Sequence, residues 1–253
     1  MMANKWALVT GPTAGIGFEF AKLLASEKYN LVLVARDEKR LKSIAKDLQA
    51  QHGIKCEVLK ADLSKKKDLE IVAARVSQSE KRIEVLVNNA GFSVNQSISN
   101  GAYAAEKSML DVLVTAVLRL SHSAASQMRV HGSGDIIIVS SVASYMASGT
   151  YSSAKAWATN FAESLAAEVN KYGINVSALC PGFTHTEFHE RANFDKGEVP
   201  NWMWMDAGYV VKTGWADHKR GKVVSIPSLR YKTLVFLMKV IPRSIIRKVQ
   251  RKK

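Results

Sequence analysis

The sequence predicts an α/β fold: a doubly wound, mainly parallel seven-stranded sheet flanked by helices. Short apolar runs of β-type composition alternate with longer helical patterns along the whole chain. The first run leads into a glycine-rich turn, Thr10–Gly17, and then into a helix. With 253 residues, 47% of them hydrophobic, the chain can bury a full core. Because crossovers between parallel strands are right-handed, this alternation indicates one continuous sheet.

The predicted strands are Lys5–Val9, Asn30–Ala35, Ile54–Lys60, Glu84–Val87, Ile136–Val139, Ile174–Leu179 and Lys222–Ile226. The predicted helices are Phe18–Lys28, about Asp37–Gln51, one beginning near Lys65, about Ala102–Val130, Thr150–Tyr172 and one capped by Asp206. No linker or repeat interrupts them. We therefore expect a single catalytic domain over residues 1–227, with a substrate lid at about 187–216, and a basic amphipathic C-terminal extension over residues 228–253.

The Thr10–Gly17 turn is typical of a site that holds a nucleotide phosphate. Glycines allow the backbone to approach a pyrophosphate closely, and the following helix offers free N–H groups and the positive end of its dipole. Glycines also serve in plain turns, so the indication depends on the strand before this turn and the helix after it.

The end of the second strand indicates which dinucleotide would bind. An acid at this position hydrogen-bonds the ribose hydroxyls of NAD, whereas an arginine accommodates the 2′-phosphate of NADP. Arg36 directly follows the strand, and Lys39 and Arg40 lie close by in the sequence. We therefore expect NADP. The alternative is that Arg36 is an ordinary surface charge and Asp37 a helix N-cap.

Polar residues also end the third and fourth strands. Asp62 could accept a hydrogen bond from an adenine amino group, or it could cap the helix that follows. Asn88, Asn89 and Gly91 come directly after the fourth strand. They suit a ligand crevice and equally suit a plain turn.

The stretch from Ser140 to Lys155 carries the candidate chemistry. If Tyr151 opens a helix, Lys155 lies one turn later on the same face. A cation held there favours the phenolate and lowers the tyrosine pKa from its ordinary value of ~10. Such a tyrosine can give a proton to, or take one from, a carbonyl or alcohol group. The two serines that end the fifth strand, Ser140 and Ser141, precede it.

Composition argues against several other classes of protein. Cys56 and Cys180 lie far apart, in or beside predicted strands, so we expect buried free thiols and a reducing, cytoplasmic location. The apolar run Asn4–Val9 is too short for a signal-peptide core, and the longest apolar run near the C-terminus, Leu234–Met238, is too short to span a bilayer.

The net charge of +14 is concentrated near the C-terminus. Residues 212–253 contain 13 Lys/Arg and one acid, whereas residues 1–211 contain 23 Lys/Arg and 21 acids. A nearly neutral body does not indicate a nucleic-acid partner. Apolar and basic residues alternate at helix-like spacing in the extension at residues 228–253, which would suit peripheral contact with an anionic membrane. The alternatives are an oligomer contact or a cover over the pocket.

Together these residues resemble the short-chain dehydrogenase/reductase family, in its single-domain, NADP(H)-preferring branch. The resemblance covers about Lys5–Ile226 and includes the glycine-rich turn, the asparagines after the fourth strand, the Ser141/Tyr151/Lys155 set and Pro181-Gly182. It implies a Rossmann-like sheet with strand order 3-2-1-4-5-6-7. It also implies hydride transfer between NADP(H) and a carbonyl or alcohol group of a small molecule, and a homo-oligomer, either a dimer or a tetramer.

The resemblance implies roles for individual residues. Tyr151 would be the general acid or base, Lys155 would hold the nicotinamide ribose, and Ser141 would orient the substrate oxygen. The residues that it implies for cofactor binding are Thr10, Gly11, Thr13, Gly15, Ile16, Gly17, Arg36, Asp62, Leu63, Asn89, Ala90, Gly91, Tyr151, Lys155, Pro181, Gly182, Thr184 and Thr186.

Two positions depart from the family pattern. The family serine usually lies further before the tyrosine, where this chain has Ile138, so the loop between Ser141 and Tyr151 is expected to be short. The asparagine that usually joins the lysine to a proton relay through water is matched by Leu113, which cannot hold that water. The alternative function is therefore a weakly active or non-catalytic NADP(H)-binding scaffold, or a redox sensor.

The lid region is rich in large apolar side chains. Trp202, Met203 and Trp204 could form an adaptable wall around an apolar substrate, or they could simply pack the lid onto the core. His185 and His189 have the spacing of helical metal ligands, but no third ligand is evident and no metal site is expected.

Overall fold

Seven parallel strands form one sheet in the computed structural model, which describes residues 5–192, 199–242 and 244. Within these residues the strand order is β3-β2-β1-β4-β5-β6-β7, as predicted. The strands are β1 (Trp6–Thr10), β2 (Asn30–Ala35), β3 (Cys56–Lys60), β4 (Ile83–Asn88), β5 (Gly134–Val139), β6 (Ile174–Leu179) and β7 (Val224–Ser225). β7 is shorter than predicted, because only Val224 and Ser225 pair with β6.

Helices cover both faces of the sheet. They are α1 (Gly15–Ser26), α2 (Glu38–His52), α3 (Lys66–Val76), α4 (Tyr103–Leu110), α5 (Ala116–His131), α6 (Gly149–Val169), α7 (Glu187–Arg191), α8 (Ala207–Lys219) and α9 (Leu229–Val240). The predicted helix at about Ala102–Val130 is divided, because a π-helical turn, Asp111–Thr115, joins α4 to α5.

Side chains of each strand alternate between two hydrophobic cores. In β1, Trp6 and Leu8 belong to the core under α3, α5 and α6, whereas Ala7 and Val9 belong to the core under α1, α2 and α8. This alternation follows from the two-residue period of a strand. It also explains why β1 is apolar throughout: a central parallel strand is buried on both faces.

Cys56 and Cys180 are both free thiols, as predicted, but only Cys180 is fully buried, whereas Cys56 is half-buried. Within the described ranges, no helix combines the length and the apolar character that a membrane span requires. Of the predicted lid and extension, residues 193–198, 243 and 245–253 lie outside the described residues. The division of the chain near residue 228 stays a prediction.

A buried charge network fastens α8 to the amino ends of β5 and β6. Asp135 Oδ1 lies 3.0 Å from His218 Nε2, and Lys219 Nζ donates to Asp135 Oδ2 at 2.9 Å. Asn175 Nδ2 also donates to Asp135, and Ser177 Oγ lies 2.8 Å from the other ring nitrogen of His218. Burial by itself would raise the pKa of Asp135, but the bonds and charges of its partners outweigh burial and hold that pKa well below its ordinary value.

We predict that Asp135→Asn destabilises the protein by about 2–3 kcal/mol at neutral pH, because a charged hydrogen-bond acceptor is lost. An aspartate with a lowered folded-state pKa adds stability above its ordinary value of 3.8 and loses it as the pH falls further. Denaturant unfolding across the acid range should therefore show a weaker pH dependence in this variant. Asp47→Asn, on the exposed side of α2, is the control. Equal acid sensitivity of Asp135→Asn and the wild type would contradict the assignment.

Candidate active site

A cavity of about 830 Å³ opens at the carboxyl ends of β1, β4, β5 and β6. From β1 the chain first proceeds outward to β2 and β3, and then returns to place β4 on the other side of β1. The cavity lies at this reversal of strand order. Parallel sheets bind ligands in that crevice. The predicted site residues that line the cavity are Gly11, Thr13, Gly15, Ile16, Arg36, Asp62, Leu63, Asn89, Ala90, Gly91, Ser141, Tyr151, Lys155, Pro181, Gly182, Thr184 and Thr186.

Two of the residues predicted to bind the cofactor, Thr10 and Gly17, do not line the cavity. Thr10 Oγ1 instead accepts hydrogen bonds from the N–H groups of Asn89 and Ala90, at 2.9 and 3.0 Å. Asn89 Nδ2 in turn donates to the carbonyl oxygens of Thr10 and Gly11, at 2.9 and 3.1 Å. These bonds fasten the loop after β1 to the loop after β4. Thr10 therefore supports the cavity floor from beneath.

Gly17 and Gly15 permit two close approaches around the glycine-rich turn. A Cβ atom on Gly17 would lie 2.2 Å from the Gly11 carbonyl oxygen and 2.3 Å from Asn89 Nδ2. Gly15 has a φ of +54°, and a Cβ there would lie 2.6 Å from Thr186 Cγ2. The first turn of α1 consequently borders the cavity, and within the described part of the chain no side chain caps it. Its free N–H groups fit a pyrophosphate.

The far end of the cavity fits an adenosine ribose and its substituents. Arg36 lines the cavity at the end of β2. Asp37 also lines the cavity, but its carboxylate caps α2 by accepting a hydrogen bond from the Arg40 N–H at 3.0 Å. Asp62 accepts from the N–H and hydroxyl of Ser64, at 3.0 and 2.8 Å, so it stabilises its own turn as well as lining the cavity. The residues present therefore fit a dinucleotide.

The short loop after β5 still brings Ser141 and Tyr151 together. A 3₁₀ turn, Val142–Tyr145, follows Ser141, and Tyr151 lies in the first turn of α6. Both side chains line the cavity, and the Ser141 hydroxyl lies close enough to Tyr151 to affect the pKa of its phenol. Lys155 lies one turn further along α6, its Nζ is 5.7 Å from the centre of the Tyr151 ring, and it donates to the Val139 carbonyl oxygen at 2.7 Å.

Ser140 and Ser141 point in different directions. Ser140 Oγ donates to the Lys155 carbonyl oxygen at 2.8 Å and lies 2.7 Å from Thr159 Oγ1. Its hydroxyl is therefore occupied in fastening β5 to α6. Ser141 Oγ instead accepts a hydrogen bond from the Ala143 N–H at 3.1 Å and makes only a long bond, 3.5 Å, to the Pro181 carbonyl oxygen. Because its hydroxyl is less engaged than that of Ser140, Ser141 stays the predicted substrate-contacting serine.

The expected lowering of the Tyr151 pKa was wrong. Burial raises the pKa of the Tyr151 hydroxyl well above its ordinary value, and the hydrogen bond with Ser141 opposes that rise only in part. Burial also lowers the pKa of Lys155, to about 8. Both shifts have one cause, because a site with little water disfavours the charged form of each group.

Leu113 fills its position with apolar packing. It lies in the π-helical turn and contacts Met109 and Ala154 in a small buried cluster beside Tyr151. A Cβ atom on Gly91 would lie 2.8 Å from Leu113 Cδ2, so the leucine presses against the cavity floor. The lysine is instead anchored to the carbonyl oxygen at the end of β5.

Sequence reasoning missed Tyr231. Its hydroxyl accepts a hydrogen bond from the Phe183 N–H at 3.0 Å and donates to the Met203 carbonyl oxygen at 2.9 Å. Its ring lies so close to Gly182 that a Cβ atom there would be 2.0 Å from the ring. Tyr231 thus fastens the loop after β6 to the lid. No pattern in the sequence indicates this role, since the tyrosine lies among basic residues of the extension.

The ion pairs of the lid helix α7 were also missed. Glu187 forms a bidentate pair with Arg40 of α2, at 2.5 and 3.1 Å, and it also bonds Arg191. The neighbouring Phe188 places its ring centre 5.7 Å from that of Tyr151. This helix therefore closes the cavity beside the reactive hydroxyl group.

Among the described residues, no three His, Cys, Asp or Glu side chains lie together in a way that could hold a metal ion. The His185 ring stacks on Trp204, with a distance of 5.0 Å between ring centres.

Comparisons with known proteins give the same class as the fold and the cavity. The family model described as short chain dehydrogenase matches residues 5–197. The 3-oxoacyl-(acyl-carrier-protein) reductase of Chlamydia muridarum is 31% identical over 193 residues, which cover 74% of this chain and 77% of that protein.

Two solved structures are similar over nearly the whole chain. A short-chain dehydrogenase from Sphingobium yanoikuyae in complex with NADPH has a TM-score of 0.85 and 30% identity, and the match covers 94% of this chain and 97% of that one. The bulky-bulky ketone specific alcohol dehydrogenase from Comamonas testosteroni has a TM-score of 0.80 and 28% identity, with 94% and 95% covered.

The parallel sheet, the glycine-rich turn and the reactive cluster at its carboxyl edge define a dinucleotide-binding oxidoreductase of the Rossmann-like class. This chain belongs to the short-chain dehydrogenase/reductase family.

We predict that Lys155→Met is inactive yet more stable than the wild type at neutral pH, by about 1–3 kcal/mol. The substitution removes the free-energy cost of burying the charged ammonium group, and this gain is partly offset because the hydrogen bond to the Val139 carbonyl oxygen is lost. A lysine with a lowered folded-state pKa destabilises the fold below about pH 8, and this penalty disappears as the pH approaches its ordinary value of 10.5.

Denaturant unfolding as a function of pH would measure this difference, with the exposed Lys46→Met as the control. A gain in stability that did not change between neutral and alkaline pH would contradict it.

Proposed function

We propose that this protein is an NADP(H)-dependent oxidoreductase that reduces a carbonyl group of an apolar substrate, or oxidises the corresponding alcohol. The observation that carries the proposal is the grouping of Ser141, Tyr151 and the buried Lys155, which lies one helical turn from Tyr151, in a cavity of dinucleotide size. Tyr151 and Lys155 would also contact a bound cofactor, so Ser141 is the member of the set that a protein binding only the dinucleotide would not need.

In the proposed mechanism the Ser141 and Tyr151 hydroxyl groups both bond the substrate oxygen. A bound nicotinamide would supply or accept the hydride. Because burial keeps the phenol protonated at neutral pH, Tyr151 gives its proton to the oxygen during reduction. Lys155, which is protonated below about pH 8, stabilises the phenolate that remains. Its bond to the Val139 carbonyl oxygen fixes its position.

The preference for NADP(H) is supported by Arg36. It lines the cavity at the end of β2, where the adenosine ribose of a dinucleotide would lie. The nearest acid in the sequence, Asp37, is engaged as the cap of α2 and carries a bond from Arg40. The similar Sphingobium yanoikuyae enzyme is a complex with NADPH.

An apolar substrate is supported by the wall of the cavity beside Tyr151. Phe188 and Phe92 pack beside Tyr151, and Val112 and Ala192 also line the cavity. The similar enzyme from Comamonas testosteroni is specific for ketones with two bulky groups. A role as a non-catalytic scaffold or redox sensor is less well supported, because the short loop does not separate Ser141 from Tyr151. A cytoplasmic location and a homo-oligomeric state stay predictions.

We predict that Tyr151→Phe lowers carbonyl reduction by about 10²–10⁴-fold, because the general acid is lost. Oxidation of NADPH should be followed by absorbance against a panel of aldehydes, ketones and acyl thioesters. NADPH binding should persist and would be measured by fluorescence. Tyr103→Phe, on an exposed part of α4, is the matched control. Full turnover in Tyr151→Phe would refute the mechanism. If the wild-type protein binds NADPH but none of the carbonyl compounds in the panel leads to its oxidation, the scaffold function would be favoured.

We predict that Arg36→Ala weakens NADPH binding by about tenfold to a hundredfold, because a charge-assisted bond to the 2′-phosphate is lost. NADH binding should hardly change, since NADH lacks that phosphate. Titration of both cofactors would measure the two dissociation constants, with Lys46→Ala as the control. An equal loss of affinity for NADPH and NADH would show that Arg36 does not bind the 2′-phosphate.

A further inference from the structure

Helix α9 has apolar residues on two opposite sides. Tyr231 and Val235 are buried in the core. Five other apolar residues are exposed instead: Leu229 at 78%, Phe236 at 63%, Val240 at 60%, Leu237 at 46% and, on a different side of the helix from these four, Leu234 at 38%. A helix that only covers the core would be expected to turn polar side chains outward.

The four more exposed residues form one stripe. Counting about 100° per residue from Tyr231, they lie within a sector about 100° wide on the side of α9 that faces away from the core. We call Leu229, Phe236, Leu237 and Val240 the outer stripe. The exposed Thr233 lies in the same sector, so the stripe is apolar except at this one position. Apolar residues grouped on one side of a helix mark a site of contact more strongly than scattered apolar residues do.

Basic residues flank the outer stripe on both sides. By the same count Lys232 and Lys239 lie along one border and Arg230 along the other. Arg230 also lies over the exposed ring of Trp202, 5.8 Å from its centre, so an indole of the lid adjoins the stripe. Tryptophan and arginine or lysine at the border of an apolar stripe are characteristic of helices that lie at a membrane interface.

The charge of this part of the chain decides between possible occupants. From Ser228 to Lys253 the sequence contains nine Lys/Arg and no acid. A second copy docked stripe to stripe would bring these two cationic segments together, which costs free energy. An anionic lipid surface would attract each cation by about 1 kcal/mol while it buries the apolar stripe.

We propose that the outer stripe of α9, with its flanking lysines and Trp202, binds the surface of an anionic phospholipid bilayer. The helix lies in the headgroup region with the stripe towards the acyl chains and the cations at the level of the phosphates. Tyr231, on the opposite side of α9, remains bonded to Phe183 and Met203. The lid is therefore held next to the bilayer, where apolar substrates concentrate.

Flotation of the full-length protein with vesicles tests this proposal. The protein should float with phosphatidylcholine vesicles that contain phosphatidylserine, much less with pure phosphatidylcholine, and less as salt is raised. The double variant Phe236→Ser/Val240→Ser should lower the partition coefficient by about tenfold or more. Lys232→Gln should lower it by roughly fivefold. Val130→Ser removes an equally exposed apolar side chain from α5 and should have no effect.

Thermal unfolding and NADPH binding of each variant would confirm that the fold is kept. The proposal is overturned if the full chain does not float, or if Phe236→Ser/Val240→Ser floats as well as the wild type. If Lys232→Gln abolishes flotation but the stripe variant does not, the protein binds vesicles through its basic residues alone and the outer stripe takes no part. A decrease in molecular mass on substituting the stripe, measured by light scattering without vesicles, would assign the stripe to a second copy.

Discussion

The hydrogen bonds between the end of β5 and the second turn of α6 are the contacts on which the site depends. Lys155 Nζ donates to the Val139 carbonyl oxygen, and Ser140 Oγ donates to the Lys155 carbonyl oxygen. Together these bonds fix the rotation of α6 about its axis and its position along that axis relative to the sheet. Because Tyr151 lies one turn earlier on the same face, these bonds also determine where its hydroxyl meets Ser141. The reactive group is therefore positioned by β5, which ends in the middle of the sheet.

This arrangement costs stability. A buried ammonium and a buried phenol both lose solvation, which is why the pKa of Lys155 falls to about 8 while that of Tyr151 rises. A water-poor site also strengthens the interaction of Lys155 with a phenolate when one forms. The rest of the fold offsets the cost: β1 is buried on both faces, and the Asp135 network holds α8 at the opposite edge of the sheet.

The strands and their order could be predicted because each depends on short-range patterns: alternation of apolar runs with helices, and a glycine-rich turn at the first junction. The finer assignments depend on three-dimensional distances that no local pattern contains. Thr10 belongs to the same turn as Gly11, yet its side chain bonds the loop after β4 instead of facing the cavity. The predicted lowering of the Tyr151 pKa was wrong for a similar reason. A lysine one turn away is visible in the sequence, whereas the depth of burial is not. Tyr231 was missed because its partners lie 28 to 49 residues away, in other elements.

Helix α9 compensates for the short loop between Ser141 and Tyr151. α9 packs against the 3₁₀ turn that follows Ser141, and Lys239 lies over the Tyr145 ring, 5.1 Å from its centre. A longer loop could cover that turn with its own residues, but here the cover comes from a separate helix. The same helix holds the loop after β6 through Tyr231. Any force on the outer side of α9 would consequently reach both the 3₁₀ turn after Ser141 and the loop after β6. A surface that binds α9 is thus well placed to influence access to Tyr151 without touching the reactive residues.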